Sequence, residues 1–123
     1  MKRIAATAIV LFSMAAAQGS LAGEADVVRA TAQKEAAGTW RFRVTVRHGD
    51  EGWDHYADRW DVLAPDGTVL GVRTLLHPHV EEQPFTRMLG GVTIPEGIAS
   101  VTLRARDSVH GYGGETITVE LPR

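Results

Sequence analysis

Five histidines fall in three short stretches of the chain, and each stretch also carries carboxylates. His48 and His55 bracket Gly49-Asp50-Glu51-Gly52-Trp53-Asp54. His77 and His79 flank Pro78, with Glu81 and Glu82 just beyond, and His110 follows Asp107 by three residues. Neutral imidazole suits zinc, copper, iron and nickel, and a carboxylate fills a harder position beside it. His77-Pro78-His79 carries a geometric hint. A residue before proline is pushed to extended backbone, where residues two apart point to one side. The chain contains no cysteine, so thiolate ligation and disulfides are excluded, and any ion must be held by His, carboxylate, Met or backbone.

Other chemistries fit the residues less well. Asp107-Ser108-Val109-His110 holds the residue types of a hydrolytic triad, but groups so close in sequence rarely reach triad geometry. Gly111-Tyr112-Gly113-Gly114 has no helix pattern after it and no Lys-Ser/Thr end, so it is no phosphate loop. Glycines there let the loop fold tightly or pass close to a neighbour. Glu81-Glu82 are adjacent loop residues that point apart. Met88 offers a soft donor for copper, but it lies within a strand pattern.

The elements that position the histidines are strands. Trp40-Arg41-Phe42-Arg43-Val44-Thr45-Val46-Arg47 alternates apolar and polar residues, as a half-buried strand requires. Residues 101–106 and 116–121 do the same, and less regular strands fit 27–34, 56–63, 69–76 and 85–93. Ala64-Pro65-Asp66-Gly67 and Ile94-Pro95-Glu96-Gly97 are turns, where Pro fixes φ and Gly accepts a positive one. No helical stripe is present after the first 22 residues. About seven short strands predict an all-β, immunoglobulin-like antiparallel β-sandwich, with Trp60 as the buried Trp of the third strand.

Alternating strand direction then brings the second-to-third, fourth-to-fifth and sixth-to-seventh connections to one end of the sandwich. All five histidines lie in or beside those connections, and both Pro-Xaa-Gly turns fall at the other end. His48 and Asp107 continue the inward parity of their strands after Val46 and Ala105, which aims them at the rim of the core. A carboxylate there needs a partner, because an unpaired buried charge is costly. The candidates are a metal ion, Arg87, His110 or backbone N–H groups of the glycine-rich loop. The candidate metal set is His48, His55, His77, His79, His110 and Asp107, around a single iron, copper or zinc ion. The competing reading is polar loop residues that cap the sandwich and bond to neighbouring backbone.

The first 22 residues read as a cleavable secretory signal: Met1-Lys2-Arg3, an uncharged run from Ile4 to Ala17, and Ser20-Leu21-Ala22 ahead of a cut before Gly23. Cleavage after Ala17 is the alternative. The product is expected to be periplasmic or secreted, with no membrane insertion after cleavage and one domain over 23–123. Of 13 Lys and Arg, removal of Lys2 and Arg3 leaves 11 against 15 acids, a formal net charge of −4. That balance argues against nucleic-acid binding and against an anionic membrane surface.

The stretch His48-Gly49-Asp50-Glu51-Gly52-Trp53-Asp54-His55-Tyr56, with Trp60, Asp66-Gly67 and Asp107-Ser108-Val109-His110-Gly111, resembles the iron-binding immunoglobulin-like domain of superoxide reductases (desulfoferrodoxins). The resemblance spans about 39–114 and is one of pattern and order. It implies His48, His55 and His110 as iron ligands and a redox role. Asp107 stands where that family has its cysteine ligand, and the family's early ligand histidine has no counterpart, so His77 or His79 would substitute. Leu76-His77-Pro78-His79-Val80 followed by Pro84-Phe85 resembles the Z subunit of the sulfur-oxidation carrier complex. That likeness implies a non-catalytic module with a periplasmic protein partner, reached through Trp53, Tyr112, Arg87 and the acidic pairs of the same loops.

Overall fold

The structure, a computed structural model, describes residues 23–123, and the expected secretory signal at 1–22 lies outside the described residues. Those residues form eight strands and no helix: β1 Asp26–Lys34, β2 Trp40–Arg47, β3 Ala57–Leu63, β4 Val69–Thr74, β5 Phe85–Val92, β6 Ser100–Asp107, β7 Gly111–Tyr112 and β8 Ile117–Glu120. One sheet runs β1-β2-β5 and the other β4-β3-β6-β7, with β8 also paired to β6. Every neighbour is antiparallel. This is the expected immunoglobulin-like sandwich, with the two-residue β7 added to the seven strands that alternation reveals. The fourth strand pairs with β3 and not with β5, so it extends the second sheet.

The strictest alternation gives the clearest strands. Trp40, Phe42, Val44 and Val46 of β2 face Val101, Leu103 and Ala105 of β6 across the core, together with Trp60 and Val62 of β3 and Phe85 of β5. Trp60 is fully enclosed, as expected of a third-strand Trp. Full burial of each such Val, Leu or Phe is worth about 1.5–3 kcal/mol, so this layer can hold the sandwich without a disulfide.

The Ala64–Thr68 turn closes with Ala64 N–H to Thr68 O at 2.8 Å and Gly67 at φ +92°. It shares an open depression with Pro95 and Ile98 at one end of the sandwich. The connections bearing the histidines meet at the opposite end. There the His79 N–H donates to Asp50 Oδ2 at 2.7 Å, and the Ser108 N–H donates to Tyr56 O at 2.9 Å.

Candidate metal centre

The β2–β3 connection is tight because its own polar groups close it. Glu51 N–H donates to His55 O at 2.8 Å, His55 N–H to Gly52 O at 3.2 Å, and Gly52 takes φ +109°, a conformation that disfavours any side chain. Asp50 turns inward. Its Oδ1 accepts the Ala57 N–H at 3.0 Å and the His48 Nδ1–H at 2.6 Å, while Oδ2 accepts the His79 N–H. Gln83 closes the other side: its Oε1 accepts the His48 N–H at 2.9 Å, and its amide donates to His79 O at 2.9 Å.

These bonds fix both imidazoles in one tautomer. Carboxylates only accept, so His48 Nδ1 must carry the hydrogen it gives Asp50. His55 Nδ1 likewise donates to Glu51 Oε1 at 2.9 Å. Both Nε2 atoms are left facing inward, 3.2 Å apart. Asp107, at the end of β6, completes the group: Oδ1 is 3.3 Å from His55 Nε2 and Oδ2 is 4.0 Å from His48 Nε2. His48, His55 and Asp107 are all buried, and one donor atom of each lies within 4.8 Å of the others, close enough to hold a metal ion. Asp107 Oδ1 also accepts the Val109 and His110 N–H groups at 2.8 and 2.7 Å, whereas Oδ2 is enclosed with no hydrogen-bond donor. A buried bare carboxylate oxygen beside two inward ring nitrogens is a place for a cation.

The charge state follows from the same contacts. Burial alone would lower the His48 pKa, but the hydrogen bond to Asp50, the Gly23 carbonyl and the charges of Asp50 and Asp107 raise it above its ordinary value. For Asp107, burial would raise the pKa, and the His110 and Val109 N–H groups with the neighbouring imidazoles lower it instead. Asp50 is lowered in the same way, with burial overcome by His48 and the His79 and Ala57 N–H groups. The metal-free centre therefore holds two carboxylates and favours a proton on His48. A metal ion would displace that proton.

The other candidate residues are placed differently. His110 sits exposed at the rim, with Nδ1 3.2 Å from Asp107 Oδ1 and its ring 5.0 Å from that of His55. It can reach the centre from the solvent side. His77 and His79 are not brought into the group. Their rings do lie 4.6 Å from one another, but His79 stacks on Phe85 at 4.0 Å and its Nε2 accepts from Arg87 at 2.9 Å. Burial, then Arg87 and His77, push the His79 pKa down. His77 is exposed and bonds to Pro78 O. Trp53 is also exposed, edge-on to Tyr56 at 5.6 Å, while Arg104 lies 3.7 Å over the Tyr112 ring.

Residue type and spacing did not reveal four positioning groups: Asp50 and Glu51 as the acceptors that orient the imidazoles, Gln83 as the bridge, and Gly23, whose carbonyl lies 2.8 Å from His48 Nε2. The nearest signal was spacing: His48 with Asp50 at i+2, and Glu51 with His55 at i+4.

A protein of Halomicrobium mukohataei named "Putative lipoprotein" is 43% identical over 97 residues, which is 79% of this chain and 47% of that protein. The chain thus spans about half the length of this relative. No protein-family model matches, and no solved structure matches.

Proposed function

We propose that this chain is an exported β-sandwich protein that holds one divalent transition-metal ion through His48 Nε2, His55 Nε2 and Asp107. One observation carries the reading. Two imidazoles, each with Nδ1 tied to a carboxylate, turn their Nε2 atoms toward a buried carboxylate whose second oxygen has no donor. Metal-bound histidines are held in this way, the outer carboxylate fixing the tautomer and raising the basicity of the ligating nitrogen. Ligand atoms about 2.0–2.1 Å from a four-coordinate ion stand about 3.3–3.4 Å apart, close to the 3.2 and 3.3 Å found around His55.

Two imidazoles and a carboxylate suit iron(II) or zinc. Met88, the soft donor that copper would favour, is exposed on β5. Three protein ligands leave a coordination position for a small molecule, so bound metal would supply Lewis-acid chemistry or, as iron, redox chemistry. The thiolate that tunes the iron of superoxide reductases has no counterpart, so any redox role here runs with a carboxylate in its place. The basic-then-apolar leader and the name of the relative both support export.

A second reading draws on the surface around the same site. Trp53, Leu76, Val80 and Val109 are exposed apolar residues, all in the three histidine-bearing connections. They would let this end dock on a periplasmic protein, as the likeness to the carrier-complex Z subunit implies. The test is elemental analysis of untagged protein, purified from the periplasm without chelator. Stoichiometric iron or zinc that disappears in His55→Ala supports the metal reading. Metal-free protein whose melting is unchanged by added iron, zinc or copper overturns it and leaves the docking module.

A further inference from the structure

We propose that Gly23 completes the metal centre, through its carbonyl oxygen and, once the leader is removed, through its α-amino nitrogen. The inference rests on the metal-binding reading above. The Gly23 carbonyl lies 2.8 Å from His48 Nε2, the nitrogen already turned toward His55 and Asp107. His48 Nδ1 is committed to Asp50, so Nε2 can face that oxygen only with a proton or an ion between them. A bare lone pair against a carbonyl oxygen at this distance is repulsive. The proton serves the metal-free state; an ion would take both atoms as ligands.

The segment that carries Gly23 is clamped. Ala25 and Asp26 are buried, Val27 N–H donates to Glu115 O at 2.9 Å, and Asp26 Oδ1 accepts the Glu115 N–H at 2.8 Å. It runs so close to the loop after β7 that a Cβ on Gly114 would stand 2.0 Å from Ala25 O, and one on Gly113 would stand 2.6 Å from the Glu24 carboxylate. The glycine pair, expected to let its loop fold tightly or pass close to a neighbour, is where residues 24–26 pass, and that close approach holds Gly23 against His48.

Cleavage after Ser20-Leu21-Ala22 would turn the Gly23 nitrogen from an amide into a primary amine. An amide nitrogen is a poor neutral donor. An amine with an ordinary pKa of about 7.7–8.0 is a good one, and with its own carbonyl oxygen it closes a five-membered chelate ring on one ion. Full affinity then belongs to the processed chain, so a precursor would take up metal weakly until it is exported.

The test compares three proteins by zinc titration against a chromophoric chelator at pH 7.5. One begins at Gly23, one keeps Ala22, and one begins at Gly23 with its amine acetylated. The expected result is at least tenfold tighter zinc binding by the free-amine form than by the other two. Gly114→Ala, which displaces residues 24–26 and with them the Gly23 carbonyl, should weaken binding by every form and by the free-amine form most; no loss in any form overturns the role of the carbonyl. Equal affinities in all three, with His55→Ala abolishing binding, overturn the role of the Gly23 amine and leave the centre standing. No zinc binding by any form overturns the centre itself. Sequencing of the exported protein that finds a first residue other than Gly23 overturns the amine contribution.

Discussion

Asp61 and Asp107 are both fully enclosed, on adjacent strands of one sheet, and they are treated in opposite ways. Asp61 lies on the outer face of β3 beneath a lid of cations. Its Oδ2 accepts from Arg104 Nε at 2.9 Å, Arg59 Nε is 3.3 Å from Oδ1, and Tyr112 ties the two arginines together, accepting from Arg59 at 2.7 Å and lying under Arg104. Asp107 lies at the end of β6 with no guanidinium on it among the described residues. Two backbone N–H groups take Oδ1, which also has the His55 and His110 rings within 3.3 Å, and Oδ2 has His48 Nε2 at 4.0 Å. Each acid keeps one oxygen without a hydrogen bond, Oδ1 of Asp61 and Oδ2 of Asp107, but that of Asp61 already has a guanidinium 3.3 Å away. The oxygen of Asp107 has no such cation among the described residues and is open to an added one.

The sharpest way to break this contrast is to neutralise each acid in turn and measure metal affinity. Asp107→Asn should weaken zinc or iron(II) binding by about 100-fold or more, at or beyond the upper range for outer-shell partners, because it removes a ligand charge. Asp61→Asn should leave affinity unchanged while lowering the melting temperature. If both variants bind metal alike, the two aspartates do not differ in kind and the centre is misassigned.

Stability should invert the ranking. Removing one partner of a buried ion pair costs roughly 3–5 kcal/mol. Because Arg104 is part exposed and Arg59 remains, we expect Arg104→Ala to cost about 2–3 kcal/mol in urea unfolding, with metal affinity retained. Asp107→Asn gives up a charge that the fold favours but keeps an oxygen for the Val109 and His110 N–H groups, so it should cost the metal-free protein less. A larger loss from Asp107→Asn than from Arg104→Ala would show that Asp107 is structural.

The same contrast explains what could be read from the chain beforehand. Alternation in β2 and β6 is strict, so the sandwich, its inward parity and the shared end of the loops follow from period two alone; His48 and Asp107 continue that parity and are buried. Asp61 breaks the pattern. Its burial depends on Arg104 and Tyr112 arriving from other parts of the chain to join Arg59 of its own strand, which no local period records. His77 and His79 show the opposite failure. Extended geometry around Pro78 does put the rings side by side, but Phe85 and Arg87 from the next strand capture His79. The orienting bonds of Asp50 and Glu51 depend on loop conformation, and Gly23 reaches the centre only through the packing of residues 24–26 on Gly113-Gly114.

The smallest effect concerns protons, and it separates two histidines that both contact the Asp50 carboxylate. His48 has its pKa raised despite burial, so its contribution to metal-free stability is fully present below pH 6.5 and is lost as pH rises through the folded value. His79 is lowered, chiefly by burial, so it acts in the reverse sense: stability is lost as pH falls below 6.5 toward the folded value. Each tenfold change in proton affinity is worth about 1.4 kcal/mol, and because the two windows lie on opposite sides of 6.5, together they give the melting temperature a maximum near that pH. Ring-proton NMR resolves what melting averages. In the metal-free protein His48 should titrate with a midpoint above 6.5 and His79 with one below it. On adding one equivalent of zinc the His48 titration should move to markedly lower pH, since metal and proton compete for Nε2, while that of His79 keeps a midpoint below 6.5. A His48 titration unmoved by zinc would place any bound ion away from His48 Nε2.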